Sequence, residues 1–230
     1  QGDYFQAVKG GGHGDYNNMV LAPYSVQEMC ELMQESFDLA EKYRNPVILL
    51  TDSLLGKMME SVTLPGKKES TADLSWALTG AEGREHNVIT TCGDGANQWE
   101  TFNLNLQEKF NKIKANEERW ESYNTEDADL ILVAYGSMAR IAISAMKMAR
   151  EEGLKVGMIR PISLWPYPTK AFEGLYDKEF LVTELSAGQM VEDVKLSVPD
   201  KEKVHFFGRL GGKIPTPKEV LEQIKKVEVK

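Results

Sequence analysis

Residues 129–168, DLILVAYGSMARIAISAMKMAREEGLKVGMIRPISLWPYP, constrain the fold more than any other stretch. Leu130 to Ala134 is an unbroken apolar run, the pattern of a parallel strand covered on both faces. Tyr135-Gly136-Ser137 reads as the turn that follows, with Ser137 as N-cap. Ile141, Ala142, Ala145, Met148 and Ala149 then recur at helical spacing, opposite Arg140, Ser144, Lys147 and Arg150. Gly153 suits the left-handed residue that closes a helix, and Val156 to Ile159 reads as a second buried strand. Pro161, Pro166 and Pro168 predict that no regular element continues, leaving Arg160 to Pro168 as a rigid surface for a neighbouring subunit. A strand–helix–strand crossover of this kind commits the chain to a parallel α/β sheet.

The same pattern recurs on both sides. Met19 to Ala22 and Pro46 to Thr51 are strand-like and flank a helix that opens on the capping box Ser25/Glu28. Val26, Met29, Cys30, Met33, Phe37 and Ala40 predict that helix's buried stripe, with Cys30 inside it and inert. Asp52 and Ser53 follow at a strand end, where open α/β sheets place ligands. Residues 60–96 are rich in turn formers. A long helix is expected from Asn97, with Trp99, Phe102, Leu106, Phe110, Ile113 and Trp120 on one narrow stripe. Towards the C-terminus, Thr169 to Tyr176 reads as a short helix and Phe180 to Thr183 as a strand, with Glu184 at its end. A helix over Gln189 to Ser197, a strand over Val204 to Phe207 and a final helix capped by Thr216-Pro217-Lys-Glu219 complete the alternation. Residues 127–230 are thus expected to form a parallel α/β domain of four strands.

Composition removes several function classes. A net charge of −8 argues against a general nucleic-acid binder, which needs a basic face. No apolar run approaches the roughly 20 residues of a membrane span. Cys30 and Cys92, the two cysteines, stand far apart in sequence, and the three histidines are dispersed, so no cluster or zinc pattern is encoded. Two thiols in an acidic chain fit a reducing cytoplasm. The start at Gln1-Gly2-Asp3 without a methionine suggests a piece of a longer protein.

Two segments carry candidate chemistry. Gly10, Gly11, Gly12 and Gly14 surround His13, with Asp15 next; this reads either as a solvated loop or as one whose amides approach a ligand beside a histidine donor. Spacing does not separate the two. Gly208-Arg209-Leu-Gly211-Gly212-Lys213 is a basic glycine-rich loop, again either a solvated turn or an anion cradle. Cys92-Gly-Asp94-Gly-Ala-Asn97 superficially suggests a magnesium–diphosphate motif, but Asn97 follows Asp94 too closely and is better used capping the next helix. The turn after Val133 has one glycine where a dinucleotide fingerprint needs three. No catalytic residue or metal site is assigned.

Gln1-Gly-Asp-Tyr-Phe-Gln-Ala, Lys9-Gly-Gly-Gly-His-Gly-Asp-Tyr16, Val20-Leu-Ala-Pro, Gly157-Met-Ile-Arg-Pro-Ile-Ser-Leu-Trp-Pro-Tyr-Pro, Glu184-Leu-Ser-Ala-Gly-Gln-Met and Phe207-Gly-Arg-Leu-Gly-Gly-Lys resemble the α-type subunit of 2-oxoacid:ferredoxin oxidoreductases. The resemblance covers nearly the whole chain and is nearest the branched-chain (2-ketoisovalerate) form, with the 2-oxoglutarate form next. It implies a partial pyrimidine-type thiamine domain (1–65), a linker with a long amphipathic helix (66–126) and a transketolase C-terminal-like domain (127–230). The N-terminal half of the pyrimidine domain is missing from the match, including the glutamate that activates thiamine, so the chain alone is expected to be inactive. Thiamine diphosphate with its magnesium is then shared with or held by a partner, CoA is a cosubstrate, and iron–sulfur clusters and ferredoxin belong to the wider assembly. The implied interface residues are Asp3, Tyr4, Gly12, His13, Gly14 and Asp15; Arg209, Gly211, Gly212 and Lys213 are candidates for a CoA phosphate. A β-type chain of a 2-oxoacid dehydrogenase or transketolase, and a non-catalytic assembly subunit, are the alternatives.

Overall fold

Apolar runs of three to six residues alternate with longer amphipathic segments, and each becomes the element its period dictates. A computed structural model describes residues 1–10, 12–66, 73–90 and 95–228. In chain order these give α1 (Tyr4–Val8), β1 (Met19–Leu21), α2 (Val26–Tyr43), β2 (Val47–Leu49), α3 (Ser53–Gly56), α4 (Ala96–Asn116), β3 (Trp120–Tyr123), β4 (Leu130–Val133), α5 (Gly136–Glu151), β5 (Val156–Pro161), β6 (Ser163–Trp165), β7 (Glu179–Glu184), α6 (Met190–Ser197), β8 (Val204–Gly208) and α7 (Pro217–Glu228). The described parts of 60–90 hold no helix or strand; the Cys92–Asp94 part of the rejected diphosphate motif lies outside the described residues.

The strands form two sheets, ordered β2-β1-β6 and β3-β5-β4-β7-β8. In the larger, β5, β4, β7 and β8 run parallel, as expected, and β3 adds an antiparallel edge against β5. Buried residues of β4 alternate between its faces. Ile131 and Val133 pack with α6 and the 1–8 segment, while Leu130 and Leu132 pack with α5 and α7. The smaller sheet buries Met19 and Leu21 against Leu32 and Leu39 of α2 and Phe110 and Ile113 of α4. The capping box of α7 is reciprocal: Glu219 N donates to Thr216 Oγ1 and Thr216 N to Glu219 Oε2.

Several expectations are corrected. Trp120 leaves the helical stripe, because α4 ends at Asn116 and Trp120 pairs with Pro161 across the sheet edge. The prolines do not stop regular structure: Pro161 closes β5 and β6 follows at once, pairing antiparallel with β1. Nor is the proline-rich exit a surface, since Arg160, Pro161, Ser163, Leu164, Pro166 and Pro168 are buried. On α2 the buried set is Leu32, Ser36 and Leu39, whereas Met33 and Phe37 are 47% and 66% exposed and Cys30 is half-buried. Of the stripe expected from periodicity, Val26, Met29, Cys30 and Ala40 are thus half-buried, and Met33 and Phe37 are exposed. The stretch after Pro168 is a single 3-10 turn, Thr169–Phe172, shorter than the expected helix.

Candidate functional site

Strand order reverses between β4 and β7, and the crevice at the carboxyl ends of strands at such a point is where doubly wound sheets usually bind ligands. Here the chain's own first residues occupy it. Gln1 Nε2 donates to the Tyr135 carbonyl beyond β4 at 2.9 Å, and Gln1 Oε1 accepts from Leu185 N beyond β7 at 2.9 Å. Gln189 reciprocates by donating to the Gly2 carbonyl and accepting from Phe5 N, both at 2.8 Å. One amide side chain from each partner therefore staples residues 1–5 into the crevice.

The helix N-termini that face this crevice are satisfied from within. Ser137 is not its own helix's cap: α5 begins at Gly136, and Asp52 Oδ2 accepts from Ser137 N at 2.9 Å and from Ser137 Oγ at 2.7 Å. Asp52 Oδ1 also caps α3 through Leu55 N at 3.0 Å. At α6, buried Glu184 accepts from the amides of Gln189, Met190 and Val191 and from Ser186 Oγ. These carboxylates sit at the positive ends of helices, where an external anion would otherwise be favoured. Burial, followed by the charges of Glu184, Asp52 and Asp3, pushes the Tyr135 hydroxyl far above the usual phenol range, so it stays protonated.

Beside the crevice, Gln1, Gly2, Asp52, Ser53, Gln189 and the Arg209–Ile214 loop line a cavity of about 490 Å³. The structure therefore brings the basic loop and the first residues of the chain to one place. Arg209 donates to Glu219 at 2.5 Å and stacks over Phe207, and the backbone hydrogen bond from Thr216 leads the causes that hold Glu219 below the usual carboxylate range. Gly211 and Gly212 both have positive φ, 62° and 79°, and leave the loop open around an exposed Lys213.

The other predicted residues are divided. Asp3 is exposed, but Tyr4 is fully enclosed and donates to Asp193 Oδ2 at 2.6 Å, while Lys9 pairs with Asp193 Oδ1 at 2.5 Å. Burial first, then the Asp193 charge, holds the Tyr4 hydroxyl well above its ordinary pKa. Gly12 packs on Tyr16, where an added Cβ would lie 3.0 Å from the hydroxyl. His13, Gly14 and Asp15 are exposed, and Gln107 of α4 donates to the Asp15 carbonyl. Residues 12–15 do not line the 490 Å³ cavity; Gly11 lies outside the described residues. Gln1 and Gln189 escaped sequence reasoning because an amide side chain at a loop carries no periodic signal. Asp52 was signalled by its place at a strand end.

Among the described residues, no group of three or more His, Cys, Asp or Glu side chains could hold a metal ion. No helix among them is long and apolar enough to cross a membrane.

Comparison with known proteins matches both parts of the chain. The family model described as "Pyruvate flavodoxin/ferredoxin oxidoreductase, thiamine diP-bdg" matches residues 1–125, and "Pyruvate:ferredoxin oxidoreductase core domain II" matches residues 128–220. The ketoisovalerate oxidoreductase subunit VorB of Methanothermobacter thermautotrophicus is 46% identical over 99% of this chain and 65% of its own length. The 2-oxoglutarate synthase subunit KorA of Methanocaldococcus jannaschii is 33% identical over 96% of this chain and 66% of its own. The chain thus spans about two thirds of the length of these relatives. A 2-oxoglutarate:ferredoxin oxidoreductase from Magnetococcus marinus, solved with 2-oxoglutarate, coenzyme A and succinyl-CoA bound, superimposes with a TM-score of 0.79 at 24% identity, over 99% of this chain and 45% of that one. At that identity the likeness establishes the fold.

Proposed function

Because the chain belongs to the pyruvate flavodoxin/ferredoxin oxidoreductase family, we propose that it forms part of a subunit of a thiamine-dependent 2-oxoacid:ferredoxin oxidoreductase and works only in an assembly. The reaction is oxidative decarboxylation of a 2-oxoacid to an acyl-CoA, with electrons passed to ferredoxin. The observation that carries this reading is the pair of matches across 1–125 and 128–220, together with 46% identity to a ketoisovalerate oxidoreductase subunit. Identity falls to 33% with a 2-oxoglutarate synthase subunit, which favours a branched-chain substrate such as 2-ketoisovalerate.

In this reading residues 1–65 are the later part of the pyrimidine-type domain, 66–126 the linker, and 127–230 the transketolase C-terminal-like domain. Thiamine diphosphate, when bound, acts as the electron sink; its magnesium and the iron–sulfur clusters are supplied by partner chains in the cytoplasm. The outward apolar face of α2, with Met33 and Phe37, supports an assembled state, since contiguous exposed apolar surface is costly in isolation. Asp3, Tyr4 and the Gly12–His13–Gly14–Asp15 loop form this chain's share of the active-site interface, Tyr4 by anchoring the segment through Asp193.

Lys213 and the Gly211 and Gly212 amides hold a CoA phosphate, with Arg209 shaping the loop through Glu219 rather than meeting the anion directly. CoA should then slow hydrogen exchange of amides 208–214 in the assembled enzyme; unchanged exchange there would remove this part of the reading. The whole reading is tested by co-expressing the chain with its genomic neighbours. Co-purification with a cluster-bearing chain and CoA-dependent reduction of benzyl viologen by 2-ketoisovalerate support it. A solitary chain, or a complex inactive with every 2-oxoacid, overturns it.

A further inference from the structure

The C-terminal end of α2 carries a residue that backbone preference does not explain. Arg44 follows the helix at φ 46° and ψ 53°, a left-handed conformation that glycine adopts without steric cost. A residue held in such a conformation against its preference is a reason to look for a role. Its guanidinium lies 4.5 Å from the centre of the Trp76 ring, and its carbonyl accepts from Lys109 Nζ at 3.1 Å. Among the described residues, no carboxylate is paired with Arg44 or Lys109.

Burial first, and then the Arg44 charge, lower the Lys109 pKa, which means the two cations repel in a partly desolvated place. Tyr43, Phe102, Asn105 and Leu106 complete a cavity of about 340 Å³ around them. Its size is at the small end for ligand pockets. Phe102 is exposed, so a ring seated there would gain stacking area.

We propose that this cavity binds a small aromatic anion, a ring bearing a carboxylate or a phosphate monoester. The anionic group lies between Arg44 and Lys109, and the ring lies on Phe102 and Leu106. An anion would relieve the repulsion between the two cations and use the N–H donors that each leaves without a partner among the described residues. The proposal is independent of the thiamine reading and concerns a cavity whose lining shares no residue with that of the 490 Å³ one.

Phenyl phosphate, benzoate, inorganic phosphate and benzyl alcohol are the probes, each titrated into the ¹⁵N-labelled 230-residue chain and followed by amide shifts. Phenyl phosphate or benzoate should give saturable shifts at residues 43–44 and 102–109. Which of the two binds tighter identifies the anionic group. Inorganic phosphate and benzyl alcohol should each bind at least about tenfold more weakly. Arg44→Gly, which suits the left-handed backbone and so keeps the fold, should weaken the aromatic anion about tenfold or more, as should Lys109→Gln. No saturation by roughly 10 mM, benzyl alcohol binding equally well, or unchanged affinity in Arg44→Gly would each overturn the proposal.

Discussion

Arg160 of β5 and Glu28 of α2 form a bidentate pair: Nη1 meets Oε2 at 3.0 Å and Nη2 meets Oε1 at 2.8 Å, with the arginine side chain fully buried. Its Nε donates to Glu121 Oε2 at 3.0 Å, and its guanidinium lies 4.0 Å from the centre of the Tyr24 ring. Glu28 also accepts from Tyr24 N, so the carboxylate that starts α2 is the one that fixes β5. Removing one partner of a buried pair leaves the other uncompensated, which typically costs about 3–5 kcal/mol. Arg160→Met should therefore lower stability by that order in urea unfolding, and adding Glu28→Gln should recover part of the loss. A loss under about 1 kcal/mol would mean that the pair holds nothing.

Glu117 is the junction of a second network. It accepts from Lys42 Nζ at 2.8 Å, Tyr43 Oη at 2.6 Å and Arg119 Nη2 at 3.0 Å. Burial alone would raise its carboxyl, but these three donors outweigh burial and hold it below the usual range. A depressed folded value means that the contribution to stability is present above the unfolded value of about 4.3 and is lost as pH falls through the lower folded value. The Tm gap between wild type and Glu117→Gln should be widest near neutral pH and should close below about pH 4. A gap independent of pH would show that charge is not what the site uses.

Much of this was readable from the sequence, and the failures have identifiable causes. Continuous apolar runs such as Leu130–Ala134 leave no choice but a buried parallel strand, and capping boxes locate the starts of α2 and α7. Trp120 was misread because a residue one period beyond a helix end looks the same as one inside it; only pairing with Pro161 reveals the turn. Met33 and Phe37 fall outside the buried face of α2, although they are more apolar than Ser36, because Ser36 donates to the Leu32 carbonyl and is buried at no polar cost. The crevice was opaque because its fastenings, Gln1 to Tyr135 and Leu185, span more than a hundred residues, and an amide side chain does not announce its partner.

Thr183 offers a simpler test. It is fully buried in β7, opposite Phe207 of β8, and its hydroxyl has no hydrogen-bond partner among the described residues. An unsatisfied buried hydroxyl costs about 1–3 kcal/mol. Valine keeps the shape and the β-branched χ1 preference while removing the polar atom. Thr183→Val should raise stability by roughly 1 kcal/mol or more, seen as a higher thermal midpoint. Destabilisation of that size would show that the hydroxyl is satisfied in solution.

Asp52 joins the sheets chemically, capping α3 with one oxygen and α5 with the other. The close fit is measured by Gly136: a Cβ there would sit 2.9 Å from Asp52 Oδ2 and 3.0 Å from Gln1 Nε2, at a φ of 60°. Gly136→Ala should thus cost at least about 1 kcal/mol through strain and displacement of the cap. Asp52→Ala should cost about 1–2 kcal/mol for the lost caps and leave the N-terminal amides of α5 without an acceptor. An empty helix N-terminus attracts anions. Phosphate should therefore raise the thermal midpoint of Asp52→Ala by more than it raises that of wild type, whose α5 terminus already holds a carboxylate. Sodium chloride at equal ionic strength should not reproduce the difference. If phosphate stabilises both proteins equally, Asp52 does not occupy an anion's place, and the wild-type crevice is closed by Gln1 and Gln189 alone.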